Sequence, residues 1–162
     1  MFPELLMNTN PAYDGEAPAD SPNLRGQALR LFSSMVANGK MHRVMNHFRR
    51  KSSRLLDRAA TRCAACVPNR HYAGHRSVPI SLIRGSEGRT EDFDDTFYPR
   101  HDRMRSRWLN VASVRLAGEG LPPVELIHSG GIYFVRDGHH RISVAKALGE
   151  AYIDAEVIDE TC

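Results

Sequence analysis

Between residues 123 and 157 the apolar pattern changes its period three times, and that alternation leaves the chain few folds to choose from. Pro123-Val124-Glu125-Leu126-Ile127-His128 and Ile132-Tyr133-Phe134-Val135 are strand-length runs on either side of a Gly-Gly turn. Asp137-Gly138-His139-His140-Arg141 follows, and residues 142 to 148 then read as a helix stopped by Gly149. Ile153, Ala155 and Val157 finally alternate with Asp154 and Glu156, the period of a half-buried strand. Hairpin, helix and strand in that order predict an α/β domain.

The junction at residues 137 to 141 is where chemistry is expected. A strand that passes through glycine into a helix start presents backbone N–H groups without intrahelical acceptors, an arrangement that suits phosphate and similar anions. Arg141 in the first helical turn is disfavoured by the helix dipole, and a bound anion bridging it to the free amides removes the conflict. A salt bridge from Arg141 to Asp137 or Glu87 is the plainer alternative. Asp137 can cap the helix, hold Mg²⁺ through a phosphate, or shape the turn. His139 and His140 diverge on a helix, so they are not expected to ligate one metal together without outside help, but a neutral imidazole there can donate to a phosphate oxygen or shuttle a proton.

The 162 residues with 41% apolar content suffice for one core. No apolar run reaches membrane-spanning length and the first twenty residues lack a basic-then-apolar leader, so a cytoplasmic protein with no membrane span is expected. Three cysteines, Cys63, Cys66 and Cys162, are too few for a disulfide framework and should be reduced.

Charge divides the chain unevenly. Residues 1 to 23 hold four acids, no Lys or Arg, and Pro3, Pro11, Pro18 and Pro22, the composition of a flexible acidic tail. Residues 24 to 62 hold ten Lys or Arg against Asp57 alone. Ala28, Leu31, Phe32, Met35 and Val36 predict a first helix ending at Asn38-Gly39. Met41, Val44, Met45, Phe48, Leu55, Leu56 and Ala59 predict a second, so residues 24 to 66 read as a basic amphipathic helical pair. Such a pair is either a solvated face or an attraction for a polyanion, DNA or RNA through Arg49, Arg50 and Arg54, or a membrane surface. No aromatic residues interleave with the arginines, which speaks against base stacking.

From residue 67 onward the chain reads as the α/β domain. Val78, Ile80 and Leu82 alternate before Ile83, and Gly85-Ser86-Glu87-Gly88-Arg89 reads as a polar loop. Residues 90 to 101 read as a loop that packs Phe93, Phe97 and Tyr98. Residues 102 to 117 read as a helix with Met104, Trp108, Ala112 and Leu116 on one face. Cys63-Ala-Ala-Cys66 with His71 and His75 approaches a zinc-knuckle spacing, but no glycine precedes the first histidine. One helical turn brings the two thiols together by default, so zinc is not expected.

Residues 77 to 158 resemble the ParB N-terminal and sulfiredoxin superfamily. The likeness lies in the order of strand, polar loop, helix, Pro-Pro-Val strand, hairpin, Gly-x-x-Arg helix start and closing Ile-Asp-Ala-Glu-Val strand, and above all in Asp-Gly-His-His-Arg at 137 to 141. The resemblance implies a small mixed sheet with helices and a phosphate site for a nucleoside di- or triphosphate with Mg²⁺. Carried over by position, Arg89, Asp137, Gly138, His139, His140 and Arg141 would hold the nucleotide, with Asp137 on the metal. His140 is favoured over His139 as the functional histidine, by analogy with the His that precedes Arg in related motifs. Members with an Asp-Gly-His motif include free-serine kinases, in which an acidic residue of the first loop is the base, here Glu87.

The departures narrow the choice. His139 stands where sulfiredoxins carry a reactive cysteine, so sulfinic acid reduction is not expected. The sequence also lacks the second phosphate motif and helix-turn-helix of partition proteins. The leading expectation is a nucleotide-binding protein, in its strongest form a phosphotransferase or NTP hydrolase with Glu87 and His140 catalytic. The alternatives are a non-catalytic nucleic-acid-binding module and, last, a ParB-like nuclease with His139, His140 and Asp137 around a metal, which needs a carboxylate cluster that the motif alone does not supply.

Overall fold

A computed structural model describes residues 22–61 and 67–161. The Cys63/Cys66 pair, Cys162 and all of the acidic tail before Pro22 lie outside the described residues. The sheet is mixed and six-stranded, in the order β1-β3-β5-β4-β6-β2. Its strands are β1 (Leu56–Asp57), β2 (Asn69–Pro79), β3 (Ile83–Ser86), β4 (Val124–Ser129), β5 (Ile132–Asp137) and β6 (Tyr152–Thr161). Four helices accompany it: α1 (Pro22–Phe48), α2 (Arg58–Thr61), α3 (Arg105–Leu116) and α4 (His139–Ala147). The mixed α/β class expected from the sequence is therefore present.

The hairpin β4–β5 turns at Gly130-Gly131, with Ser129 opposite Ile132. β3 runs parallel to β5, and β6 parallel to β4. Val124, Leu126, Phe134, Val135, Ala155 and Val157 are buried, and with Ile142 and Ala145 of α4 most of them form the sheet core. A second cluster joins Ala28, Phe32 and Met35 of α1 to Trp108, Leu109 and Ala112 of α3 and Val144 of α4. α4 is thus wedged between two apolar layers, which is why it is buried nearly all round. Trp108 fixes α3 to it by donating its indole N–H to Ser143 Oγ at 2.9 Å.

The expected helical pair is instead one 27-residue helix followed by an extended segment. Asn38-Gly39 does not stop it. Gly39 is buried against Tyr98, where a Cβ would lie 2.7 Å from Tyr98 Cβ, so glycine serves helix-to-loop packing rather than termination. α1 ends after Phe48, with Arg50 left-handed at φ 52° and Lys51 N–H closing back on Asn46 O. Leu55 then enters the sheet core and Leu56–Asp57 pair with β3.

Gly85-Ser86 also differs from expectation, being the end of β3 rather than loop. A Cβ at Gly85 would come within 2.4 Å of the Phe134 ring and 2.6 Å of Leu56 O, so only glycine lets β3 sit between its neighbours. The single alternating run at residues 78 to 83 is broken by a 3₁₀ turn at Ile80–Leu82, which leaves Leu82 exposed. The aromatic loop does pack its rings, with Phe93 and Phe97 fully buried. Phe97 is held at φ 62° because Asp94 Oδ1 collects Thr96 N–H, Thr96 O–H and Tyr98 N–H at 2.8 to 3.0 Å.

A candidate anion cradle at the start of α4

β3 and β5 are adjacent and parallel, so their C-terminal ends open on the same edge of the sheet. In parallel α/β sheets that edge is the usual place for a ligand. Beyond β3 lies the turn carrying Arg89, and beyond β5 lies Gly138 and the first turn of α4. A cavity of about 250 Å³ occupies the space, lined by Arg89, Arg107, Asp137, His139, His140 and Arg141 among others. All six residues assigned to the nucleotide from the sequence, Gly138 included, line it.

Gly138 adopts φ 102°, and a Cβ there would lie 2.5 Å from Val124 Cγ1, so the close approach it permits is to strand β4. No side chain caps α4. Its first-turn amides therefore retain the donor capacity that helix geometry leaves over.

The two histidines are buried and differently engaged. His139 Nε2 meets Ser86 Oγ at 2.8 Å, and its ring stacks on Phe93 at a centroid distance of 6.0 Å. Ser86 Oγ also accepts Arg89 N–H at 3.1 Å, which couples the β3 turn to the start of α4. His140 packs edge-on to Phe93 at 5.4 Å, and its buried Nδ1 has no hydrogen-bond partner. Burial, then the nearby guanidinium of Arg89, lowers the His139 pKa to about 4; burial, then Arg107 and Arg89, does the same for His140. Both imidazoles are neutral at pH 7.

The arginines divide into two kinds. Arg141 is mostly buried and already committed: it donates to Pro122 O and Pro123 O, each at 2.6 Å, and pairs with Asp137. It staples the approach to β4 onto α4, which is the plainer alternative for this residue. Arg89 and Arg107 line the cavity with no side-chain ion pair among the described residues. Arg107 was not found by sequence reading. Its only signal was its place beside Trp108, which says nothing until the face of α3 that meets α4 is known.

Glu87 lies elsewhere. Its carboxylate receives Arg58 Nη1 at 2.9 Å and Arg70 Nη2 at 2.6 Å, and both arginines also grip Glu160. It lines a different cavity, beside Asp57 and Arg58, and is not brought to the cradle. Arg58, ahead of the other contacts, holds the Glu160 carboxyl down at about 2. Arg49, Arg50 and Arg54 are exposed around the end of α1, and none of them lines the cradle.

Among the described residues no helix is long and apolar enough to cross a membrane. No protein-family model matches the chain, and no curated protein matches it. Among solved structures, the chain is similar to the crystal structure of sulfiredoxin from Arabidopsis thaliana, with 22% identity and a TM-score of 0.36 over 51% of this chain and 82% of that one.

Proposed function

We propose that the cradle binds the phosphate groups of a nucleoside di- or triphosphate. The observation that carries this reading is a cavity at the uncapped start of α4 shared by the guanidinium groups of Arg89 and Arg107, neither of which has a carboxylate ion-pair partner among the described residues. Arg89 and Arg107 neutralise the charge, and the first amides of α4 add donors along the helix dipole. Being neutral, His139 and His140 leave the charge balance to the arginines.

The volume suits phosphates rather than a whole nucleotide. A second cavity of about 250 Å³ shares Leu121, Pro122 and Arg141 with the first and extends past Tyr152 and Ile153, which leaves space for the nucleoside. Asp137 is largely exposed, and a Mg²⁺ ion arriving with the phosphates would bind there at the cost of loosening its pair with Arg141. Glu87, tied to two arginines away from the cavity, is given no role as base, so binding is the core of the reading.

Thermal-shift titration with nucleoside mono-, di- and triphosphates, with and without Mg²⁺, tests it. Stabilisation should require at least two phosphates and should shrink in Arg107→Ala, in line with a loss of about tenfold or more in affinity. No shift with any nucleotide, or an equal shift in Arg107→Ala and Arg89→Ala, would overturn it.

A further inference from the structure

The last two turns of α1 face the wrong way for a helix that packs by its apolar side. At about 100° per residue, Met41, Val44, Met45 and Phe48 fall within one sector of the helix. That sector points away from the protein: Met41 is 66% and Phe48 80% exposed, and Val44 and Met45 are also exposed. The opposite sector, turned inward, is the polar one. Gly39 and Asn46 are buried there, Asn46 donates to Ser53 Oγ at 3.0 Å, and Arg43 reaches Asp94 at 3.4 Å. Four large apolar side chains on one outward ridge are not an ordinary scatter of exposed hydrophobics.

Cations frame the ridge. Lys40 flanks one side, Arg49 the other, and Arg50, Lys51 and Arg54 follow at its end, all exposed. No acid occurs in the sequence between Asp20 and Asp57. A second copy of the chain would set these cations against themselves. Nucleic acid would satisfy the cations but leave Met41 and Phe48 against a polar, charged surface. An exposed ridge on the outward side of one helix, with cations on both flanks, matches a helix lying flat in an anionic lipid interface.

We infer that the carboxyl-terminal half of α1 docks the protein on anionic membrane surfaces, with Met41, Val44, Met45 and Phe48 entering the interface and the surrounding cations held at the headgroups. The surface is independent of the cradle and does not rest on nucleotide binding.

Co-sedimentation of the full chain with vesicles of phosphatidylcholine alone and of phosphatidylcholine with about one third phosphatidylglycerol tests it, the ionic strength being raised through the range where exposed charges are screened. Binding should be confined to the anionic vesicles, weaken with salt, and fall at least tenfold in Met41→Ser/Phe48→Ser. Those two side chains are exposed, so the variant should keep its melting temperature. Absence of binding to anionic vesicles would overturn the inference, as would binding that the double variant leaves unchanged. Loss of a dimer or of duplex DNA binding in the same variant, without vesicle binding in the parent, would assign the ridge to a second copy or to nucleic acid instead.

Discussion

Ser86 Oγ lies 2.8 Å from His139 Nε2 while accepting the N–H of Arg89, so one buried hydroxyl joins the end of β3 to the start of α4. Ser86→Ala removes both partners at once inside a region closed to water. It should lower stability by about 1–3 kcal/mol, measured by denaturant unfolding. A change below a few tenths would show that the two elements are held together by packing alone.

Arg107 and Arg141 line the same cavity but should respond oppositely to truncation. Arg107→Ala leaves an exposed helix position and should keep the melting temperature while costing roughly tenfold or more in nucleotide affinity, the ordinary scale of a charge-assisted contact. Arg141→Ala strips donors from Pro122 O and Pro123 O and should lower the melting temperature. Calorimetric binding and unfolding of both variants would show whether the division between ligand contact and staple holds.

The pH dependence of stability should have two separable windows. His139 and His140 carry folded pKa values of about 4 against an ordinary 6.5, so between these values the unfolded chain binds more protons and stability falls as pH is lowered from 6.5 towards 4. Glu160, held near 2 against 4.5, contributes stability present above 4.5 and lost as pH falls towards 2. His140→Gln should roughly halve the slope of the first window, leaving the His139 contribution, and leave the second unchanged. An unchanged upper window in that variant would mean His140 is not the group titrating there.

Gly39→Ala should reverse the usual sign. In an exposed helix interior that change stabilises by about 1 kcal/mol. Here the new methyl would fall 2.7 Å from Tyr98 Cβ and force α1 off the aromatic loop, so the melting temperature should drop.

What the sequence made legible followed from strong periodicity joined to a turn signal. The hairpin, α3, α4 and β6 were readable because apolar spacing and glycine stops agreed, and so was the strand-to-helix junction at 137 to 141, whose residues lie next to each other. β2 was not, since an edge strand carrying Arg70, His71, Tyr72, His75 and Arg76 buries too little to alternate. The glycines at 39 and 85 looked like breakers because close packing against Tyr98 and Phe134 is invisible before the fold is known. The placement of Glu87 beside another cavity and of Arg107 beside this one was not legible for one shared reason: which side of a loop or helix faces the cavity is set by partners distant in the chain.

The path of the chain after α1 bears on how this protein can be dissected. Leu55 fills the sheet core, Leu56–Asp57 extend its edge, and Arg58 is buried between Glu87 and Glu160. A fragment trimmed to begin at β2 would open a hole in its interior and take the buried guanidinium away from two carboxylates. The amino-terminal helix and its trailing segment are better treated as the keel of the α/β unit than as a detachable appendage.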